Sequence, residues 1–137
     1  MDPKVWGPSG WIFLHHITLG YPDKPTDVDK QNMKNCFYFV GKVLPCSKCR
    51  SNYNEHVSRF PLDNKALSSR ENLVKWLIDI HNEVNKKTNK PVLSYEDAIE
   101  NFMVSNEQGY NIYVILLIVL IIIIILLIPY VVSRIWK

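Results

Sequence analysis

The sequence predicts an all-α fold: a four-helix bundle plus a short fifth helix, followed by a single C-terminal transmembrane helix. Three observations carry this. Apolar residues recur at helical spacing in five places. No segment alternates apolar and polar residues as a half-buried strand does. Ile112–Val132 holds no charge and no polar side chain except the Tyr hydroxyls. As a helix that block is about 32 Å long, enough for a bilayer core of about 30 Å. The 137 residues leave room for one small domain beside it. The expected divisions are a domain over 1–105, a linker over 106–111, a span over 112–132 and a short basic tail over 133–137.

Each helix has its own signals. Ser9 can cap a first helix over Gly10–Leu19, ended by Gly20 with Pro22 beyond. Tyr21–Thr26 is a proline-punctuated loop. A second helix runs from Asp27 to Leu44, with Met33, Cys36, Phe37, Val40, Val43 and Leu44 on one stripe, and Pro45 stops it. A third starts at Cys46, carries Cys49, Tyr53, His56 and Val57 on one stripe, and ends near Pro61. Ser68–Glu71 is a capping box for a fourth, with Leu73, Leu77, Ile80 and Val84 inward. Thr88–Pro91 ends it. Ser94 can cap a fifth over Tyr95–Met103. Short connections between amphipathic helices favour a bundle.

Charge excludes one function class. Sixteen Lys and Arg against thirteen Asp and Glu leave a net +3, with two of the cations, Arg134 and Lys137, beyond the apolar block. The domain is near neutral, and no basic stripe argues for nucleic acid. Met1–Gly10 is polar and does not read as a signal peptide. A span this close to the C-terminus suits a single-pass tail anchor, with the domain facing the cytosol or in a virion membrane. Acids before the span and Arg134 and Lys137 after it argue for the opposite orientation, which stays open.

Three motifs carry chemistry. Pro45-Cys46-Ser47-Lys48-Cys49 places two thiols within one turn at a helix start, where the helix N-terminus favours a thiolate. Alone the pair fits a redox centre, half a zinc site or two core cysteines. Zinc needs two more ligands, and Cys36, His56 and His81 form no second close pair. A thioredoxin-like frame needs a preceding strand, and helices flank the motif instead. Trp11-Ile12-Phe13-Leu14-His15 sets Trp11 and His15 on one helix face. His81-Asn82-Glu83-Val84-Asn85-Lys86-Lys87 sets His81 with Asn85 on one face and Asn82 with Lys86 on the next. Core packing explains the first of these two adequately. A solvated last turn explains Lys86 and Lys87, but His81 and Asn85 poorly.

Together these elements resemble the Erv/ALR family of FAD-linked sulfhydryl oxidases. The matching segments are Trp6-Gly7-Pro8-Ser9-Gly10-Trp11 leading to His15, Tyr21-Pro22, the Cys46/Cys49 motif, Trp76-Leu77 and His81–Lys87, over about residues 4–95. The resemblance implies a helical bundle holding FAD at its mouth. It implies cofactor contacts from Gly7, Trp11, His15 and Tyr21, from His81, Asn82 and Asn85 on the adenine and ribose side, and from Lys87 and Lys90 near the diphosphate or pocket rim. Cys49 would sit against the flavin and Cys46 would exchange with the substrate, with O2 reduced to H2O2. No metal is implied.

The family's common extra shuttle cysteines are missing, and Cys36 reads as a buried thiol. The electron donor is then expected to be a separate dithiol protein, such as a thioredoxin-like one. The family is commonly homodimeric, with the second helix as a contact. Small size with an anchor is similar to members from large DNA viruses. The alternative is a membrane-anchored zinc-binding or assembly protein that uses the same cysteines structurally.

Overall fold

Each helix begins where a side chain can take up a backbone amide that has no intrahelical partner. The computed structural model describes the backbone of residues 1–135 and the side chains of 1–102 and 112–128. It contains α1 (Pro3–Leu19), α2 (Asp27–Val43), α3 (Ser47–Arg59), a 3-10 turn (Ala66–Ser68), α4 (Arg70–Lys87) and α5 (Tyr95–Ile135).

The first helix starts earlier than Ser9. Asp2 accepts the Lys4 amide at 2.9 Å, and Pro3 supplies a preset φ at the first helical position. Pro8 is carried inside the helix. Thr26 and Asp29 close a capping box on α2. Leu44, held extended before Pro45, ends it. The fourth helix is capped by Ser69 rather than Ser68: Ser69 Oγ accepts the Asn72 amide at 3.2 Å. Ser68 ends the 3-10 turn, its hydroxyl donating to the Lys65 carbonyl. After α4, Asn89 takes a left-handed φ of 55° and the Lys90 amide returns to the Asn85 carbonyl at 2.8 Å. Ser94 caps α5 by accepting the Asp97 amide at 3.0 Å.

Two compact units result, Met1–Ile99 and Glu100–Lys137. In the first, α4 is the central element, packed by α1 and by α3, while α2 packs on α3. The expected stripe covers only part of α4's buried surface. Leu73, Leu77 and Ile80 are buried, but so are Val74, Trp76 and Ile78, while Val84 is half-buried. The core joins Leu14, Tyr21, Phe37, Tyr53, Leu67 and Trp76 to the α4 residues. Its aromatic polar groups are satisfied by carbonyls. Tyr53 donates to Phe37, Trp76 Nε1 to Phe60 and Tyr21 to Leu67. Val43, expected inward on α2, is 71% exposed instead, because the last turn of α2 turns Val40 and Gly41 towards the core and α3.

The fifth helix is not short. It continues as one helix from Tyr95 to Ile135, so the backbone of 106–111, expected as a linker, is helical. Ser105, Asn106 and Gly109 are weak breakers; a single helical Gly costs about 1 kcal/mol relative to Ala. The side chains of 103–111 and 129–137, including Arg134 and Lys137 of the expected basic tail, lie outside the described residues. The apolar side chains of 112–128 are each between 47% and 73% exposed. Among the described residues no helix is long and apolar enough to cross a membrane; 112–128 alone spans only about 26 Å.

Candidate active site

Cys46 and Cys49 form a disulfide, with Cα atoms 5.1 Å apart. Pro45 breaks the chain from α2, and Cys46 then serves as the N-cap of α3. Its Sγ accepts the Cys49 amide at 3.1 Å. A sulfur in this position is favoured as a thiolate by the amide and by the helix dipole. Arg50 donates to the Leu44 carbonyl, closing a loop around the motif from Leu44 to Arg50. Both cysteines are half-buried, so exposure does not distinguish them. A disulfide offers no thiolate to a metal, and among the described residues no three His, Cys, Asp or Glu side chains gather as ligands. Cys36 is half-buried rather than enclosed, and burial pushes its thiol pKa up.

Opposite faces of α1 and α4 meet through rings. Trp11 stacks on His81 at 3.8 Å with an interplanar angle of 8°, and His15 Nε2 lies 3.0 Å from His81 Nδ1. One ring donates and the other accepts. Burial drives the His15 pKa down to about 3, reinforced by the His81 and His16 charges. His81 falls to about 4 through burial, then through the Lys90 charge. Both imidazoles are therefore neutral near pH 7. This cluster offers a wide aromatic face and neutral hydrogen-bonding rings, the chemistry that a planar heteroaromatic ligand requires.

The remaining expected site residues divide. Asn85 is buried one turn after His81. Lys90 is exposed on the turn after α4, close enough for its charge to reach His81. Lys87 bonds Asn52 Oδ1 at 2.9 Å and Glu55 Oε2 at 3.2 Å. It thus ties the last turn of α4 to α3 three residues beyond Cys49. Asn82 Oδ1 accepts the Asn85 side-chain amide at 3.4 Å. Its amide clamps Leu93, donating to the carbonyl at 2.9 Å and accepting the N–H at 3.1 Å. Tyr21 lies in the core, 2% exposed. Gly7 is inside α1, where a Cβ would meet nothing within 4 Å, so the spot does not require glycine.

Sequence reasoning passed over one residue here, and took a second, His56, only as a stripe position and a rejected zinc ligand. Asn52 is the α3 partner of Lys87, with only its place one turn after Cys49 as a signal. His56 is 2% exposed, with neither ring nitrogen hydrogen-bonded among the described residues. Burial lowers its pKa against the opposing pull of Glu55 and Glu83.

A family model described as Erv1 / Alr matches residues 8–104. A mimivirus protein (Acanthamoeba polyphaga mimivirus) named "Probable FAD-linked sulfhydryl oxidase" is 53% identical over 100 residues, 73% of this chain and 70% of that protein. The mitochondrial FAD-linked sulfhydryl oxidase of Saccharomyces cerevisiae is 33% identical over 90 residues, 66% of this chain and 46% of that protein. Among solved structures, the yeast Erv1 core superimposes with a TM-score of 0.67 at 29% identity, covering 74% of this chain and 84% of that one. The FAD binding domain of Saccharomyces cerevisiae Erv1 gives 0.64 at 32% identity, covering 70% and 89%.

Proposed function

The chain belongs to the Erv1 / Alr family, and we propose that it is an FAD-dependent thiol oxidase that forms disulfides in a partner protein through Cys46 and Cys49. The observation that carries this reading is the disulfide at the α3 N-terminus within the stretch the family model covers.

The donor set fits FAD. Trp11 and His81 present flat aromatic faces, His15 and His81 are neutral hydrogen-bonding rings, and Asn85 adds a buried amide. Lys87 and Lys90 bring cations to the end of α4, suited to a diphosphate. Asn82 and Tyr21 support this site from behind, one by holding Leu93 and the other by packing the core. Bound FAD would supply a two-electron acceptor, and O2 would take those electrons on and be reduced to H2O2.

The protein's own part is thiol–disulfide exchange. A substrate thiolate attacks Cys46 Sγ, forming a substrate–Cys46 bond while the Cys46–Cys49 bond breaks and Cys49 leaves as a thiolate. A second substrate thiolate attacks the substrate sulfur, closes the substrate disulfide and releases Cys46 as a thiolate. The substrate has lost two electrons and two protons, and the electrons now reside in the reduced pair. The Cys49 amide and the helix dipole stabilise the Cys46 thiolate as it leaves. With Cys36 as the remaining cysteine and its thiol pKa raised, the donor is a separate dithiol protein such as a thioredoxin-like one.

The same reading includes a homodimer through the exposed side of α2, where Val28, Tyr38 and Phe39 are 68%, 60% and 57% exposed. It includes the domain over 1–105 and a C-terminal anchor through 112–132, supported by the uncharged sequence there, as in a virus-type member of the family. Oxygen uptake tests the activity. The chain in neutral detergent should oxidise dithiothreitol with one peroxide per disulfide, and Cys46→Ser and Cys49→Ser should each reduce this to background. A folded chain that leaves dithiothreitol reduced refutes the reading.

A further inference from the structure

The charge around the disulfide is one-sided. No acidic residue lies between Asp29 and Glu55, while that stretch carries Lys30, Lys34, Lys42, Lys48 and Arg50. Five cations outside that stretch pair with carboxylates: Arg59 and Lys86 with Glu83, Arg70 with Asp23, Lys75 with Glu71, and Lys87 with Glu55; Lys4, Lys24, Lys65 and Lys90 are scattered along the chain, not clustered. Lys30 pairs with Asp27, at the far end of α2. None of the three cations nearest the cysteines in sequence has such a partner among the described residues. Lys48 is exposed between the two cysteines. Lys42 reaches over the Tyr38 ring, 5.0 Å from its centroid. Arg50 is fixed on a carbonyl, so its charge is held but not neutralised. The first turn of α3 carries no acid either.

Resting on the thiol-oxidase reading, we propose that the Cys46–Cys49 disulfide selects its substrate by charge, taking dithiol segments flanked by acidic side chains over neutral or basic ones. Unpaired cations flanking the reacting pair along the chain attract an anionic segment from solution and lower the cost of bringing its thiolate to Cys46. They also disfavour a basic segment by like-charge repulsion. An acidic flank lowers a peptide's own thiolate fraction, so the preference must exceed that handicap.

The test uses the full chain in neutral detergent with three dithiol peptides of equal length and cysteine spacing, flanked by Glu, Ser or Lys. Each rate is corrected by the peptide's reaction with an uncharged small disulfide, which reports its thiolate fraction. Expected kcat/KM falls in the order acidic, neutral, basic, by about tenfold or more from first to last at low salt, and the spread shrinks as salt rises. Lys42→Glu combined with Lys48→Glu should remove or invert the order, each rate being normalised to that variant's rate with dithiothreitol. Equal rates for the three peptides, or an order that survives high salt or the double variant, overturns the charge proposal while dithiothreitol oxidation leaves the enzyme reading standing. Failure to oxidise dithiothreitol overturns both.

Discussion

His15 and His81 meet through a 3.0 Å hydrogen bond between ring nitrogens, and that contact has a pH signature. Their folded pKa values, about 3 and about 4, lie below the ordinary 6.5. Below pH 6.5 the unfolded chain binds protons that the folded chain refuses. Stability is therefore full above that pH and falls as pH drops towards 4. From pH 7 to pH 5 the loss is about 2 kcal/mol for buried His15 and less for half-buried His81. Urea unfolding at both pH values checks this; a flat profile contradicts it. His56 is a different case, since both its buried nitrogens lack hydrogen bonds among the described residues. His56→Leu should stabilise the domain by about 1 kcal/mol, read as a rise in Tm. The two other histidine roles were partly legible in the sequence, because His15 and His81 stood in recognisable helical pairs. Asn82 also clamps Leu93 from eleven residues away, a contact that no local pattern announces.

The α2–α3 pair sets where the disulfide sits, and Gly41 governs how closely the two helices approach. A Cβ there would come within 2.9 Å of Tyr53 Cδ1, and Tyr53 is buried and tied to the Phe37 carbonyl. Helix propensity alone would make Gly41→Ala favourable by about 1 kcal/mol, whereas overpacking costs about 1–3 kcal/mol. The account expects the overpacking to win, lowering Tm by several degrees in thermal unfolding; a rise contradicts it. Helix existence was legible because each stripe followed a helical period and Pro45 marked a clear stop. Helix ends were less so. Asp2 and Pro3 outcompeted Ser9, and the 3-10 turn took Ser68 and left Ser69 as the cap. Adjacent serines look alike until the preceding loop is placed. The enclosure of α4 on several sides was also hidden, since a single stripe shows only one packing partner.

In the whole molecule, the proposed redox domain and the proposed C-terminal anchor have separate tasks. The proposed anchor should resist alkaline extraction from membranes. The apolar side chains of 112–128 supply roughly 7 kcal/mol of insertion free energy, against about 3 kcal/mol for one central Arg. Ile122→Arg alone should therefore stay in the membrane. Adding Ile118→Arg and Ile125→Arg should release the chain, as fractionation would show; release of the wild type contradicts the anchor. The apolar block was legible from composition alone, but the unbroken backbone of α5 was not, because its few breakers are individually weak. The central claim is that the Cys46–Cys49 pair feeds electrons to a bound flavin. Anaerobic dithiol titration of the purified full chain tests it most directly. The account predicts a yellow protein whose flavin bleaches with about one dithiol per flavin beyond that which reduces the disulfide, and no bleaching in Cys49→Ser. A folded, colourless chain, or flavin that bleaches equally without Cys49, would contradict it.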